Sequence, residues 1–531
     1  MKKIAALILS LAFFGACTQQ AEPPSSPKNI IRIATEVDPQ TLDPRLARTL
    51  PDATVMRLIY EGLYRVDSEG KYEKALAEAV DISDDNLVYT IYLKPSYWSD
   101  GSLLTADDFV EGWKSVLDPA FPSPNASLLF PITGAQAAKA GQIPLSAIGL
   151  KVLSPQSFSV QFDKPIADSF TVLSVLPVHA SVRQRSPSAD PKQYIYNGPF
   201  VLNAWRHHDQ LDFTKNDHYW DRKRVKLDSV VFVIADGTTG LNLFQKGQLD
   251  WMGSPLSTLP QDAIPSLRSQ GVLLITDAAG TYWFRFNTEK APFDNVNMRK
   301  AFNLALARKA IVEHVTQGNQ RPALSILPPM LALHDEGFYA DDQPKDAKEH
   351  FELALNEQGL TSENLPSIAV CYGNNDRNHK IVQAVQQQWK NALAIDVSLQ
   401  ACEGKVTYDK LAKGDYQIML GSWFADINDP INFLSVFQTK DNGINNTRWE
   451  NTDYTNLLEQ ATYEKDAGKR TALLAQAEDI LMQAQPVAPL FYNAYNYLKK
   501  DSVHDVYFSE LGYLDFKNAW VADSSGATAG G

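Results

Sequence analysis

The sequence has no basic stripe, no catalytic signature and only three cysteines among 531 residues. Each absence removes a class of function. Lys and Arg number 49 against 62 Asp and Glu, a formal net charge of −13. Nothing is therefore arranged to neutralise a phosphate backbone, which argues against nucleic acid as a partner. H-E-x-x-H, G-x-S-x-G and the Walker glycine loop are all missing. An S-x-x-K runs from Ser25 to Lys28, in a Pro- and Ser-rich stretch that cannot form a pocket. His207-His208-Asp209, set between two strand-like runs, reads as a solvated turn rather than a metal site. The pairs Asp84-Asp85, Asp107-Asp108 and Asp341-Asp342 read as caps and loops. No catalytic residue, metal or cofactor is expected. An exported hydrolase with paired carboxylates remains the rival class, because such pairs need not be close in sequence.

No stretch approaches the ~20 apolar residues of a membrane span. The N-terminus is organised differently. Lys2 and Lys3 precede an apolar run from Ile4 to Phe14, then Gly15, Ala16 and Cys17. This is the anatomy of an export signal, and it resembles a bacterial lipoprotein signal in which Cys17 becomes the lipidated first residue. An ordinary cleaved signal is the alternative. Residues 18–28 read as a flexible tether. The other two cysteines, Cys371 and Cys402, are an even remainder in an exported chain, which suggests a disulfide. Each lies near a strand-like run, and Arg377 to Leu393 between them has helical spacing, with Ile381, Val385 and Trp389 on one face. Such a unit puts its two strands parallel and close.

What is present is a large apolar supply, 44% of residues, on a chain long enough for two or three domains. Asn29 to Ala34 reads as the first strand, and a helix follows from Pro51 to Tyr60. Leu87 to Leu93 and Phe158 to Phe162 alternate as half-buried antiparallel strands. Thr105 with Asp108 caps a helix carrying Phe109, Val110 and Trp113. The spacing also predicts a strand over Tyr282–Asn287 and one amphipathic helix over Asn297–Val315. The tail from Val521 to Gly531 is small and polar and reads as disordered. The most informative stretch is Gly421 to Pro430, G-S-W-F-A-D-I-N-D-P. The apolar run Tyr416–Leu420 reads as a buried strand ending at Gly421, and Asn428-Asp429-Pro430 as a turn before a helix near Ile431. Trp423 and Phe424 precede Asp426, and no Lys or Arg lies between Tyr416 and Gln438. The acid is either a turn or cap residue, or it waits for a cation from elsewhere.

Two stretches resemble the peptide-type substrate-binding proteins of bacterial ABC importers (solute-binding protein family 5), especially the oligopeptide-binding members. One is L-V-Y-T-I-Y-L-K-P-S-Y-W-S-D-G-S-L-L-T-A-D-D-F-V, ending at Val110; the other is W-F-A-D-I-N, Trp423 to Asn428. Leu42-Asp43-Pro44, Asn197-Gly198-Pro199-Phe200, Tyr219-Trp220, Lys290-Ala291-Pro292-Phe293 and Asn297 to Arg308 are further landmarks. The resemblance spans Ile30 to Asp515.

It implies an α/β, two-lobed periplasmic-binding-protein fold with an inserted α+β domain. Domain I would comprise 28–60, 184–279 and 495–531, domain II 61–183 and domain III 280–494. Peptide would bind between domains I and III, as a monomer delivering cargo to permease transmembrane subunits outside the cytoplasmic membrane. A murein peptide, a dipeptide or a metal chelate is the alternative cargo. Asp426 would take the peptide's ammonium group, with Trp423, Phe424, Ala425 and Asn428 around it. Leu50, Arg48, Asn125 and His379 fall at other ligand-facing places, and Arg48 would suit a carboxylate. The family's disulfide positions hold Phe424 and Gly280 here, and two of its basic positions hold Leu411 and Leu420.

The anchor is testable by fractionation. Two or more acyl chains bind far more firmly than one, at ~0.8 kcal/mol per buried CH₂. Cys17→Ser should therefore move the protein from the membrane fraction to the soluble one. A wild type that is already soluble, with an unmodified mature N-terminus, would rule out lipidation.

Overall fold

The computed structural model describes residues 29–66, 71–165, 170–183, 190–440 and 442–522. The signal, Cys17, the whole tether and the tail from 523 lie outside the described residues. At the end of the described chain, Trp520–Val521 is not loose: it pairs with Val503–His504.

One large mixed sheet runs through most of the chain. Its strand order is Val397–Cys402, Ile368–Gly373, Ile418–Phe424, Leu274–Phe286, Val487–Lys499, Trp251–Gly253, Ile30–Thr35, Ser229–Ile234, Gln210–Lys215 and Phe200–Arg206. The two strands at its middle are thirteen residues each. Leu274 to Asp277 pairs with Ala494 to Tyr497, and Thr281 to Arg285 with Val487 to Tyr492, so this antiparallel pair belongs to both halves of the sheet. The expected strand over Tyr282–Asn287 is thus only the second half of a longer element.

A separate four-stranded antiparallel sheet is formed by Ala77–Ile82, Val88–Leu93, Ser157–Gln161 and Leu150–Ser154. Tyr89, Ile91, Phe158 and Val160 turn inward, as the alternation predicts, against Phe109 and Trp113 of the helix Ala106–Leu117. Phe109 stacks on Phe158 at 5.5 Å between centroids. Thr105 N–H donates to Asp108 Oδ2 at 3.0 Å, closing the helix start. The chain returns to the large sheet through Asn197-Gly198. Asn197 clips residue 61 from both sides, accepting from Glu61 N–H (3.1 Å) and donating to its carbonyl (2.9 Å). A side chain at Gly198 would lie 2.5 Å from the Ile59 backbone, so only glycine fits.

Three readings need correction. The helix expected over Asn297–Val315 is broken: Val296–Leu304 ends, and a second turn begins at Arg308. Asp341 causes this by accepting from Arg308 N–H and Lys309 N–H, both at 2.9 Å, as a cap supplied from a distant loop. The buried Arg308 guanidinium then donates to the Pro489 carbonyl at 2.8 Å. The strand expected to stop at Gly421 continues to Phe424. The third correction concerns the cysteines.

Ile368–Gly373 and Val397–Cys402 are parallel neighbours joined by the helix Asp376–Leu393, as expected, yet Cys371 and Cys402 are free. The register explains it. Cys371 stands opposite Gln400, and Cys402 opposite Gly373. A pair two residues out of register on adjacent strands is about 8 Å apart at Cα, wider than a disulfide takes, so the two thiols meet within one buried cluster without bonding. Cys371 Sγ donates to Gln400 Oε1 at 3.3 Å instead, and burial pushes its thiol up to about 11. Denatured, non-reduced protein should therefore titrate with two thiols from these positions; a count of none would mean that the register is wrong.

Candidate functional site

The strand Ile418–Phe424 is seated by Ile418, Met419 and Leu420, all buried. One edge pairs with Leu274–Phe286 along its whole length. The other meets Ile368–Gly373 only at Ile418 and Met419. Ala425 N–H donates inward to the Ala279 carbonyl at 2.8 Å. By alternation, residues 420, 422 and 424 turn their backbone groups outward. Beyond Met419 no strand among the described residues covers that edge. An extended chain can add there through main-chain hydrogen bonds.

Asp426 follows two residues after the strand. Its neighbourhood is organised by Asn432, whose side-chain oxygen accepts from Asp426 N–H (3.2 Å) and Trp423 Nε1–H (3.0 Å). The Asn432 amide nitrogen is 3.5 Å from Asp426 Oδ2, a long contact. The turn is held by a different acid. Asp429 accepts from Ile431 N–H at 2.9 Å and pairs with Arg470 at 2.9 Å. Asp426 has no ion pair among the described residues. Its side chain opens to solvent on one side, while the protein around it raises the carboxyl above its ordinary value through desolvation, partly offset by Asn432.

Other segments approach it. Tyr513 O–H donates to the Asp426 backbone carbonyl at 3.4 Å, and the Arg57 guanidinium lies 4.6 Å from the Tyr513 ring centre. Arg57 is loosely paired with Asp515, at 4.0 Å. Leu50 is beside this group: a Cβ on Gly512 would be 3.2 Å from its side chain.

The remaining candidates are distributed unevenly. Phe424 is 43% exposed, and its ring lies over Gly280, directly opposite on the neighbouring strand. A Cβ there would be 2.5 Å from the ring, so glycine and phenylalanine form one packing unit. Ala425 is buried and Asn428 exposed. Arg48 is exposed, and Asn125 braces the segment before it by donating to the Ala47 carbonyl at 2.9 Å. His379 is exposed on the first turn of its helix, with Nδ1 2.7 Å from the Tyr372 hydroxyl. Leu411 and Leu420 pack into hydrophobic clusters, which suits their lack of charge. Asn432, Tyr513 and Arg57 were not foreseeable. No local pattern marks them, because Asn432 and Tyr513 reach Asp426 from a helix start and the chain tail, and Arg57 of the first helix only stacks behind Tyr513.

Residues 71–445 match the model of the bacterial extracellular solute-binding proteins, family 5 (middle). The chain belongs to that family. It is 38% identical over 529 residues to the oligopeptide-binding protein OppA of Bacillus subtilis, covering 97% of both chains. Among solved structures it resembles Haemophilus influenzae OppA in complex with RPPGFSPFR, at TM-score 0.77 and 27% identity, covering 93% of this chain and 99% of that one. It is equally similar to the Escherichia coli murein tripeptide binding protein MppA, at TM-score 0.77 and 26% identity with the same coverage. The two-lobed α/β fold with an additional domain is the family's fold.

Removing the Asp426 charge should stabilise the empty protein. A carboxyl raised by folding favours the protonated form, so stability falls as pH rises from the unfolded value through the folded one, and the full cost remains at neutral pH. Asp426→Asn should raise Tm at pH 7 and leave it unchanged below the ordinary carboxylate range. A lower Tm at pH 7 would show that the ionised carboxylate holds the fold together.

Proposed function

We propose that this protein binds peptides between two closing lobes and delivers them to the transmembrane subunits of an ABC permease. It acts as a binder, not an enzyme, held outside the cytoplasmic membrane as a monomer by a lipid on Cys17. The lobes are domain I (28–60, 184–279, 495–531) and domain III (280–494), with domain II (61–183) inserted.

One observation carries the reading: among the described residues, Asp426 is a partly desolvated acid without a cation, just past a strand edge that no other strand covers. An extended peptide satisfies both needs, its main chain pairing with the edge and its ammonium meeting the acid. Trp423, Phe424, Ala425 and Asn428 surround that ammonium, and Leu50 approaches from the opposite lobe. Arg48, Asn125 and His379 would meet other parts of the ligand, Arg48 a carboxylate. Family membership and the names of the similar proteins support a peptide cargo. A free ammonium group disfavours haem and simple sugars.

The test pairs a substitution with a ligand change. Asp426→Asn keeps the shape and removes the charge, so free-amine peptides should bind at least about tenfold more weakly, the equivalent of ~1.4 kcal/mol. N-acetylated peptides should bind wild type poorly and be indifferent to the substitution. Calorimetry on the four combinations gives the coupling energy; a value near zero would make Asp426 a structural acid only.

A further inference from the structure

Arg285 is a cation that the fold brings to the same strand edge without a counter-ion. It stands opposite Met419 on the neighbouring strand, so its side chain must cross Ile418–Phe424 to reach the open side. Gly421 lets it pass. A Cβ at that position would be 1.8 Å from Arg285 Nη1, so the guanidinium occupies the space where a side chain would stand. Arg285 Nη2 donates to the Ser422 carbonyl at 3.2 Å, one of the outward-facing groups of the bare edge. The residue is half-buried, and among the described residues it has no carboxylate partner. Burial lowers its pKa from the ordinary arginine value, with only the Tyr416 and Tyr282 hydroxyls opposing.

We infer that Arg285 receives the C-terminal carboxylate of a peptide whose ammonium group is held by Asp426, and that the spacing selects tripeptides. This rests on the peptide reading above and adds the far end of the ligand. Five residue steps separate Gly421 from Asp426, three of them within the strand that ends at Phe424, and together they span up to about 16 Å. An extended tripeptide spans about 10–11 Å. Two charge-assisted hydrogen bonds of about 2.8 Å, one at each end, bring its reach to about 16 Å. A dipeptide falls about 3 Å short, and a tetrapeptide must bulge by as much. The planar guanidinium also suits a carboxylate, because it can retain the Ser422 carbonyl while donating its other N–H groups.

The experiment uses the mature full chain freed of cargo, with alanine peptides of two to five residues as free acids and C-terminal amides. Wild type should bind trialanine most tightly, and amidation should weaken it at least tenfold. Arg285→Met should weaken free-acid trialanine by the same factor and bind the amide as wild type does. Gly421→Ala, which displaces the guanidinium but keeps the charge, should reproduce the loss. It also stands in if the arginine variant does not fold. Equal amidation penalties in wild type and Arg285→Met would overturn the assignment, as would tighter binding of di- or pentaalanine. If peptides still require Asp426 and a free amine, only this inference falls. If wild type binds none of them, the peptide reading falls with it.

Discussion

The architecture depends on how the strands Leu274–Phe286 and Val487–Lys499 pair. They are hydrogen-bonded on both sides of a bulge, where four steps on one strand, Asp277 to Thr281, face two on the other. At the bulge the backbone leaves its partner and serves other segments. Ala279 N–H donates to the Glu510 carbonyl at 2.7 Å, and its own carbonyl accepts from Ala425 N–H. The same residue therefore ties the chain tail and the loop carrying Asp426 to the line between the two halves of the sheet. Gly280 completes the junction by accepting the Phe424 ring. Any side chain at 280 would push the strand that ends at the acid.

Several buried charges are paired within the chain, unlike the two at this edge. Buried Arg45 pairs with Asp43 at 2.6 Å. Arg65 joins Glu61 and Asp515 at 2.9 and 2.6 Å, and Lys517 meets Asp221 at 3.0 Å. These pairs offset desolvation within the chain. Asp426 and Arg285 do not. They are opposite in sign and have between them a row of backbone groups with no strand partner among the described residues. Rules broken locally, without compensation inside the fold, are where a ligand completes the structure. Asp429, three residues from Asp426 and fully paired, shows that the chemistry of the acid alone does not make the distinction.

Periodicity and local turn chemistry were enough to read much of the fold. The alternation at Leu87–Leu93 identifies the buried face of the smaller sheet, and the Thr105/Asp108 spacing identifies the helix that covers it. The strand–helix–strand unit around Trp389 is equally plain, and so is the Asn197-Gly198 turn. All of these depend on contacts between residues a few positions apart, or on one face of one element. Asp426 was also legible, as an acid beside aromatics with no basic neighbour in sequence.

Long-range partners decided the rest. Arg308 starts a new turn because Asp341, thirty-three residues on, caps it. Cys371 and Cys402 lie on neighbouring strands, but a two-residue offset in register separates them. Asp426 and Asp429 are both turn acids by pattern, and only the arrival of Arg470 at one and of Asn432 and Tyr513 at the other tells them apart. Arg285 reads as an ordinary strand residue until Gly421 is placed beneath it. Sequence spacing determined which elements form and which face of each is apolar, because those are properties of a local helix or strand. Register, capping from afar and the pairing of charges belonged to the tertiary structure, because each depends on a residue that local spacing cannot bring near.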